Sequence, residues 1–126
     1  MSPRASVVIV DDLKEDRYFL RRAIKKVFPD IGLREFAYAE DALAYLRSPD
    51  REPLALLLVD INMPRMNGFE FVDAFQQLYP ELKGNARLYV MSGSIDPNDQ
   101  ERALRQPSVT GYLEKPVARD VLKSLM

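Results

Sequence analysis

The sequence predicts an α/β protein, a three-layer sandwich with helices on both faces of a five-stranded parallel sheet. Three observations carry this. Short strand-like apolar runs alternate with apolar residues at helical spacing five times along the 126 residues. The central run, Leu54 to Val59, is six apolar residues without polar alternation, as in a strand buried on both faces. The connections are short and free of repeats or low-complexity tracts, which favours parallel neighbours joined by right-handed crossovers. The length suits one domain, residues 1–126, able to bury a core without staples.

Each element has its own signal. Ser6 to Val10 is a compact β-branched run ending at Asp11-Asp12, and Leu20, Ala23, Ile24, Val27 and Phe28 then recur at helical spacing until Pro29. Leu33 to Ala37 is the second strand, and Ala42, Leu43 and Leu46 mark a short helix ending near Ser48-Pro49. Leu54 to Asp60 is the third strand. After it Pro64 removes an amide donor and Asn67-Gly68 is a turn dipeptide suited to positive φ, so a loop covers Asp60 and leaves its carboxylate near solvent. Phe69, Val72, Phe75 and Leu78 form the core face of a helix that ends by Pro80. Arg87 to Ser92 is the fourth strand, followed by Gly93-Ser94. Asp96-Pro97 begins a helix with an N-cap and a first-turn proline, and with few apolar residues this helix is expected to be the most exposed. Val109 to Glu114, interrupted by Gly111, is the fifth strand, and Val121, Leu122 and Leu125 mark an amphipathic last helix after Lys115-Pro116.

Composition narrows the chemistry. The chain has no Cys and no His, so thiolate and imidazole catalysis and the commonest soft metal ligands are excluded; carboxylates, hydroxyls, lysines and backbone remain. Eighteen Lys and Arg against nineteen Asp and Glu leave a formal net charge of -1, which gives no nucleic-acid footprint and no polybasic membrane patch. The apolar stretch Ala5 to Val10 is too short for a signal-peptide core or a membrane span, so a cytoplasmic protein is expected.

Four of the five strands end in polar residues: Asp11 and Asp12, Asp60, Ser92 and Lys115. A parallel sheet places these ends on one edge, where open α/β folds bind ligands. Three carboxylates gathered there repel one another and stay ionised only beside a cation. Oxygen ligands without His or Cys select a hard ion, Mg²⁺ or Mn²⁺, with water and phosphoryl oxygens completing its shell. Lys115 adds a positive charge and Ser92 a hydroxyl donor, so the pocket suits an anion built on a carboxylate, an aspartyl phosphate. Taken singly, adjacent aspartates are more often cap residues, and a strand-end aspartate more often belongs to a turn. The case rests on their joint order along one sheet edge.

These residues resemble the receiver domains of bacterial two-component response regulators, over essentially the whole chain. The acid pair matches Asp11 and Asp12. The phosphoacceptor matches Asp60, followed by Met63-Pro64 and Asn67-Gly68. The switch hydroxyl matches Ser92, the switch aromatic Tyr112 and the Lys-Pro pair Lys115-Pro116. The resemblance implies a flavodoxin-like (βα)5 fold with strand order 2-1-3-4-5. It further implies Mg²⁺ held directly by Asp12 and Asp60, mainly through water by Asp11, and by the main-chain carbonyl of Asn62. A cis peptide before Pro116 would turn Lys115 into the site, and Gly93 leaves room for a phosphoryl group. Ser92 stands where threonine is commoner. The implied partners are a sensor histidine kinase or histidine phosphotransfer protein upstream and an unidentified protein downstream. The expected output is a phosphorylation-dependent repacking of the surface made by the fourth helix, fifth strand and fifth helix.

A stand-alone regulator is expected. The other reading of its organisation is a receiver cut from a larger protein. The alternative function is a receiver that binds partners without phosphorylation, but such a module is expected to have lost an acid or the lysine, and all are present. A haloacid-dehalogenase-type phosphatase needs a second acid two residues after the nucleophile, where Asn62 stands. A flavodoxin-like electron carrier needs a hydroxyl-rich phosphate loop where Asp11-Asp12 would repel the flavin phosphate. Asp16, near the acid pair, is read as an exposed first-turn residue.

Overall fold

The computed structural model describes residues 5–78, 86–93 and 96–125. Among these, five strands and five helices alternate: β1 (Ser6–Val10), α1 (Lys14–Val27), β2 (Gly32–Phe36), α2 (Ala39–Arg47), β3 (Leu54–Asp60), α3 (Gly68–Leu78), β4 (Arg87–Ser92), α4 (Pro97–Leu104), β5 (Val109–Glu114) and α5 (Arg119–Ser124). The strands form one parallel sheet in the order β2-β1-β3-β4-β5, as the resemblance implies. The expected end of the third helix at Pro80 and Ser94 of the Gly93-Ser94 pair lie outside the described residues.

The unbroken apolar strands are explained by two cores, one on each face of the sheet. Val8, Val10, Leu57, Val59, Leu88 and Val90 point to a core closed by α2, α3 and α4, with Leu43, Phe71 and Phe75 among its buried residues. The alternate residues Val7, Ile9, Leu56, Leu58 and Met91 point to the core shared with Leu20 and Ile24 of α1, Leu122 of α5 and Leu125 beyond it. A strand that serves both cores has no solvent face to mark with polar residues.

Four sequence expectations are corrected in detail. β2 begins one residue early, at Gly32 rather than Leu33, because the Gly32 amide donates to the Ala5 carbonyl at 3.0 Å; it closes at Phe36, whose carbonyl accepts from the Asp11 amide at 3.0 Å. In α5 the buried positions are Leu122 and, just beyond the helix, Leu125, while Val121 is 39 % exposed. Asn67-Gly68 is a helix start, not a positive-φ turn. Asn67 Oδ1 accepts from the Glu70 amide at 2.9 Å and Glu70 Oε1 accepts from the Asn67 amide at 3.1 Å, a reciprocal capping box. Gly68 is required for close approach, since a Cβ there would lie 2.5 Å from the Asp60 carbonyl oxygen and 2.8 Å from the Ile61 Cα. The positive φ of the loop falls at Arg65 (67°), which is pinned to α2 by a 3.0 Å ion pair with Glu40 and by stacking 3.8 Å over the Tyr38 ring. Finally, Asp60 is not near solvent but 4 % exposed.

Two expectations about the fourth helix and the fifth strand hold. Asp96 caps α4, its side chain accepting from the Asn98 amide at 2.9 Å, and Ala103 is the buried residue of that helix. Gly111 sits where the β4–β5 register shifts, with the Tyr89 ring over it; a Cβ there would come within 2.9 Å of that ring.

Candidate functional site

The carboxyl edge of the sheet gathers the strand-end residues. Asp60 leaves β3 under the loop that follows it, and the backbone closes tightly behind it: the Ile61 amide donates to the Met91 carbonyl at 3.0 Å and the Gly68 amide to the Ile61 carbonyl at 2.9 Å. Asp11, only 1 % exposed, is fixed on several sides. Its Oδ1 accepts from the Leu13 amide at 3.0 Å and its carbonyl from Arg17 Nη1 at 2.6 Å. Asp11, Asp12 and Asp60 each present a carboxylate oxygen, all within 4.8 Å of one another.

Lys115 reaches this group from the end of β5. Its amide donates to the Ser92 carbonyl at 2.8 Å, and the Lys115-Pro116 peptide is cis, as expected. Its Nζ lies 2.7 Å from Asp11 Oδ2, 2.9 Å from Asp16 Oδ2 and 3.3 Å from Asp60 Oδ2. Burial opposes the charge of this ammonium but is outweighed by the hydrogen bonds to Asp11 and Asp16 and the charges of Asp11 and Asp60, so its pKa is raised above the ordinary lysine value. For Asp60 burial wins. The carboxyl is pushed from 3.8 up to about 6 by desolvation, opposed by the charge of Lys115, raised further by Asp11 and lowered slightly by the Asn62 amide.

This local charge excess fits a hard cation. Three carboxylates converge on one point, and Asp12 Oδ1 is buried with no hydrogen-bond donor among the described residues. A cluster of three carboxylates, one of which also carries a buried oxygen without a donor, is the kind of oxygen donor set that Mg²⁺ uses with water to complete its shell. The open cleft above is lined by Leu13, Asp16, Asp60, Asn62, Gly93, Lys115 and Pro116. A Cβ at Gly93 would meet no atom of the described residues within 4 Å, so the cleft is roomy there.

Ser92 is buried beneath the cleft at the end of β4. Tyr112 stands outside it, half-buried against the α2–α3–α4 core and paired in register with Val90. Ser92 lies two residues beyond Val90, so Ser92 and Tyr112 share one face of neighbouring strands.

The chain matches the response regulator receiver domain over residues 7–126. It belongs to that family. It is 32% identical to the chemotaxis protein CheY of Pseudomonas aeruginosa, with 93% of this chain and 89% of that protein aligned. A solved response regulator receiver protein from Dyadobacter fermentans superposes with a TM-score of 0.85 at 29% identity, covering 96% of this chain and 94% of that one. Other relatives are much longer. The chain aligns over 95% of its length with the sensor histidine kinase CheAY of Helicobacter pylori at 29% identity but spans 14% of that protein. Among the described residues, no helix is long and apolar enough to cross a membrane.

One participant escaped the sequence reading. Asp16 is not a free surface residue: it lies in the first turn of α1, at the same end of the molecule as the strand ends, and bonds Lys115. Its position in the first turn of the helix that directly follows the acid pair is the available signal.

Proposed function

We propose that this receiver accepts a phosphoryl group on Asp60 from a phosphohistidine of a sensor histidine kinase or histidine phosphotransfer protein, in the cytoplasm, and thereby alters binding of a downstream protein. The observation that carries the reading is the buried Asp60 carboxylate at the foot of an open cleft with Lys115 Nζ 3.3 Å away and two further acids beside it. A carboxylate oxygen of Asp60 attacks phosphorus. The bond from phosphorus to the donor imidazole nitrogen breaks with its electron pair going to that nitrogen, and a mixed carboxylic–phosphoric anhydride forms. Lys115 donates to the phosphoryl oxygens as negative charge is redistributed over them.

Asp12 and Asp60 would hold Mg²⁺, or Mn²⁺, directly, Asp11 through water, and the Asn62 carbonyl would complete the protein's share. When bound, the ion neutralises the carboxylates and the transferring oxygens. The receiver contributes the nucleophile, the cation site and the lysine, and the donor contributes the leaving group, so catalysis is shared between them.

Ser92 and Tyr112 then form the switch. The Ser92 hydroxyl moves toward the phosphoryl group, and Tyr112, on the same sheet face one strand over, turns into the space released, repacking the face made by α4, β5 and α5.

Incubation with a small phosphodonor and Mg²⁺ should add one acid-stable, base-labile phosphoryl group, and Asp60→Asn should remain unlabelled; equal labelling of that variant would refute the site. Ser92→Ala should be phosphorylated yet fail to pass the change to the surface. With beryllofluoride as the phosphoryl mimic, wild-type amide NMR shifts should extend from Asp60 to α4 and Tyr112. Shifts confined to the cleft would refute the switch and favour the phosphorylation-independent binding module.

A further inference from the structure

Three carboxylates surround Lys115 Nζ: Asp11 at 2.7 Å, Asp16 at 2.9 Å and Asp60 at 3.3 Å. An ammonium has three N–H donors, so its capacity is filled before any phosphoryl oxygen arrives. A phosphoryl group on Asp60 would bring new acceptors beside the same nitrogen, and one of the three must then give way. Asp11 is buried and anchored by the Leu13 amide and Arg17, and Asp60 carries the phosphoryl group itself. Asp16 differs from both. It projects from the first turn of a helix rather than a strand end, and its side chain is 35 % exposed at the rim of the cleft. On its other side is a cavity of about 110 Å³ lined, besides Asp16 and Lys115 themselves, by Phe19, Leu20, Met91, Pro116 and Val117, so it offers a displaced carboxylate no charged partner other than the lysine it has left. Its way out is toward water.

We propose that Asp16 is a positioning residue that occupies one donor of Lys115 in the unphosphorylated protein and yields it to the phosphoryl oxygen, thereby setting how readily Asp60 accepts its load. The inference rests on the phosphoacceptor reading above and deepens it. Asp16 acts as a resting-state stand-in for the phosphoryl group: it keeps the lysine poised in the cleft and competes with the anion for it. Removing its charge should favour the loaded state, although the residue touches neither the reacting phosphorus nor the attacking oxygen.

The test is a double-mutant cycle read by beryllofluoride binding in the presence of Mg²⁺, followed by amide NMR. Because the pair is part-exposed, Asp16→Asn should tighten beryllofluoride binding by about three- to tenfold. In a Lys115→Ala background the same substitution should change the affinity by less than about twofold, as expected when a pair is already broken. Lys115→Gln serves in its place if the alanine variant does not fold. Unchanged or weaker binding by Asp16→Asn would overturn the proposal. So would equal tightening with and without the lysine, which would make Asp16 a source of general repulsion only. Wild-type protein that bound no beryllofluoride would instead overturn the phosphoacceptor reading, and this inference with it.

Discussion

Replacing Asp60 by asparagine should stabilise the metal-free protein. In the fold the carboxyl titrates near 6 instead of 3.8, so between these values the native state holds a proton that the unfolded state has lost. Stability therefore falls as pH rises through this window, and above it the full difference is lost. A shift of about two units corresponds to about 3 kcal/mol, the net of burial against the attraction of Lys115. An asparagine side chain in its place has no ionisation to suffer, and Lys115 would keep Asp11 and Asp16. Urea unfolding in a chelator at pH 8 should show Asp60→Asn more stable by about 2–3 kcal/mol, narrowing to about 1 kcal/mol at pH 4.5. Added Mg²⁺ should raise the wild-type midpoint and leave the variant's nearly unchanged. A variant no more stable than wild type at pH 8 without metal would refute the reasoning that desolvation of Asp60 dominates the site.

Asp12→Ala should weaken Mg²⁺ binding by about tenfold or more in a calorimetric titration, because it removes the buried oxygen that lacks a donor; unchanged affinity would refute the ligand assignment. Gly68→Ala should destabilise by about 1–3 kcal/mol in urea unfolding, since the new Cβ meets backbone at Asp60 and Ile61 that cannot rotate away. The same variant should also slow phosphorylation, because relief of the clash displaces the end of β3.

The fold is legible in the sequence because both of its periodicities are plain in the chain. Leu54 to Val59 fits a strand buried on both faces, and Phe69, Val72 and Phe75 fit one helical face packed on the sheet. The acid pair, Asp60 and Lys115 are legible because a parallel sheet brings its strand ends to one edge, whatever the details of the loops. Asp16 is not, because an aspartate in a helix's first turn has a sufficient local reason to be there, and its partner lies 99 residues along the chain. Gly68 suggests the wrong property: proximity to the Asp60 carbonyl is a tertiary fact, whereas positive φ is a local habit of the Asn-Gly pair. Val121 misleads because a helix as short as Arg119–Ser124 buries too little to fix its rotation by pattern alone.

The cost of charging Asp60 and the proposed dependence on a divalent cation are two views of one quantity. A ligand that binds only the native state at a hundred times its dissociation constant contributes about 2.7 kcal/mol, close to what ionised, buried Asp60 takes away. A weak cation site built from Asp11, Asp12 and Asp60 could therefore return the fold to the stability it would have with that carboxyl protonated, while leaving the carboxylate charged and able to attack. The lysine alone does not do this, since Asp60 remains raised even with Lys115 Nζ 3.3 Å away. Lys115 is shared among three acids, and the third of them, Asp16, is the one whose contact can be broken at least cost because it faces water. On the proposed reading the site would separate two tasks that a single cation could not perform: one positive charge to keep the nucleophile ionised, and another that is already in place but only provisionally committed when the phosphoryl group arrives.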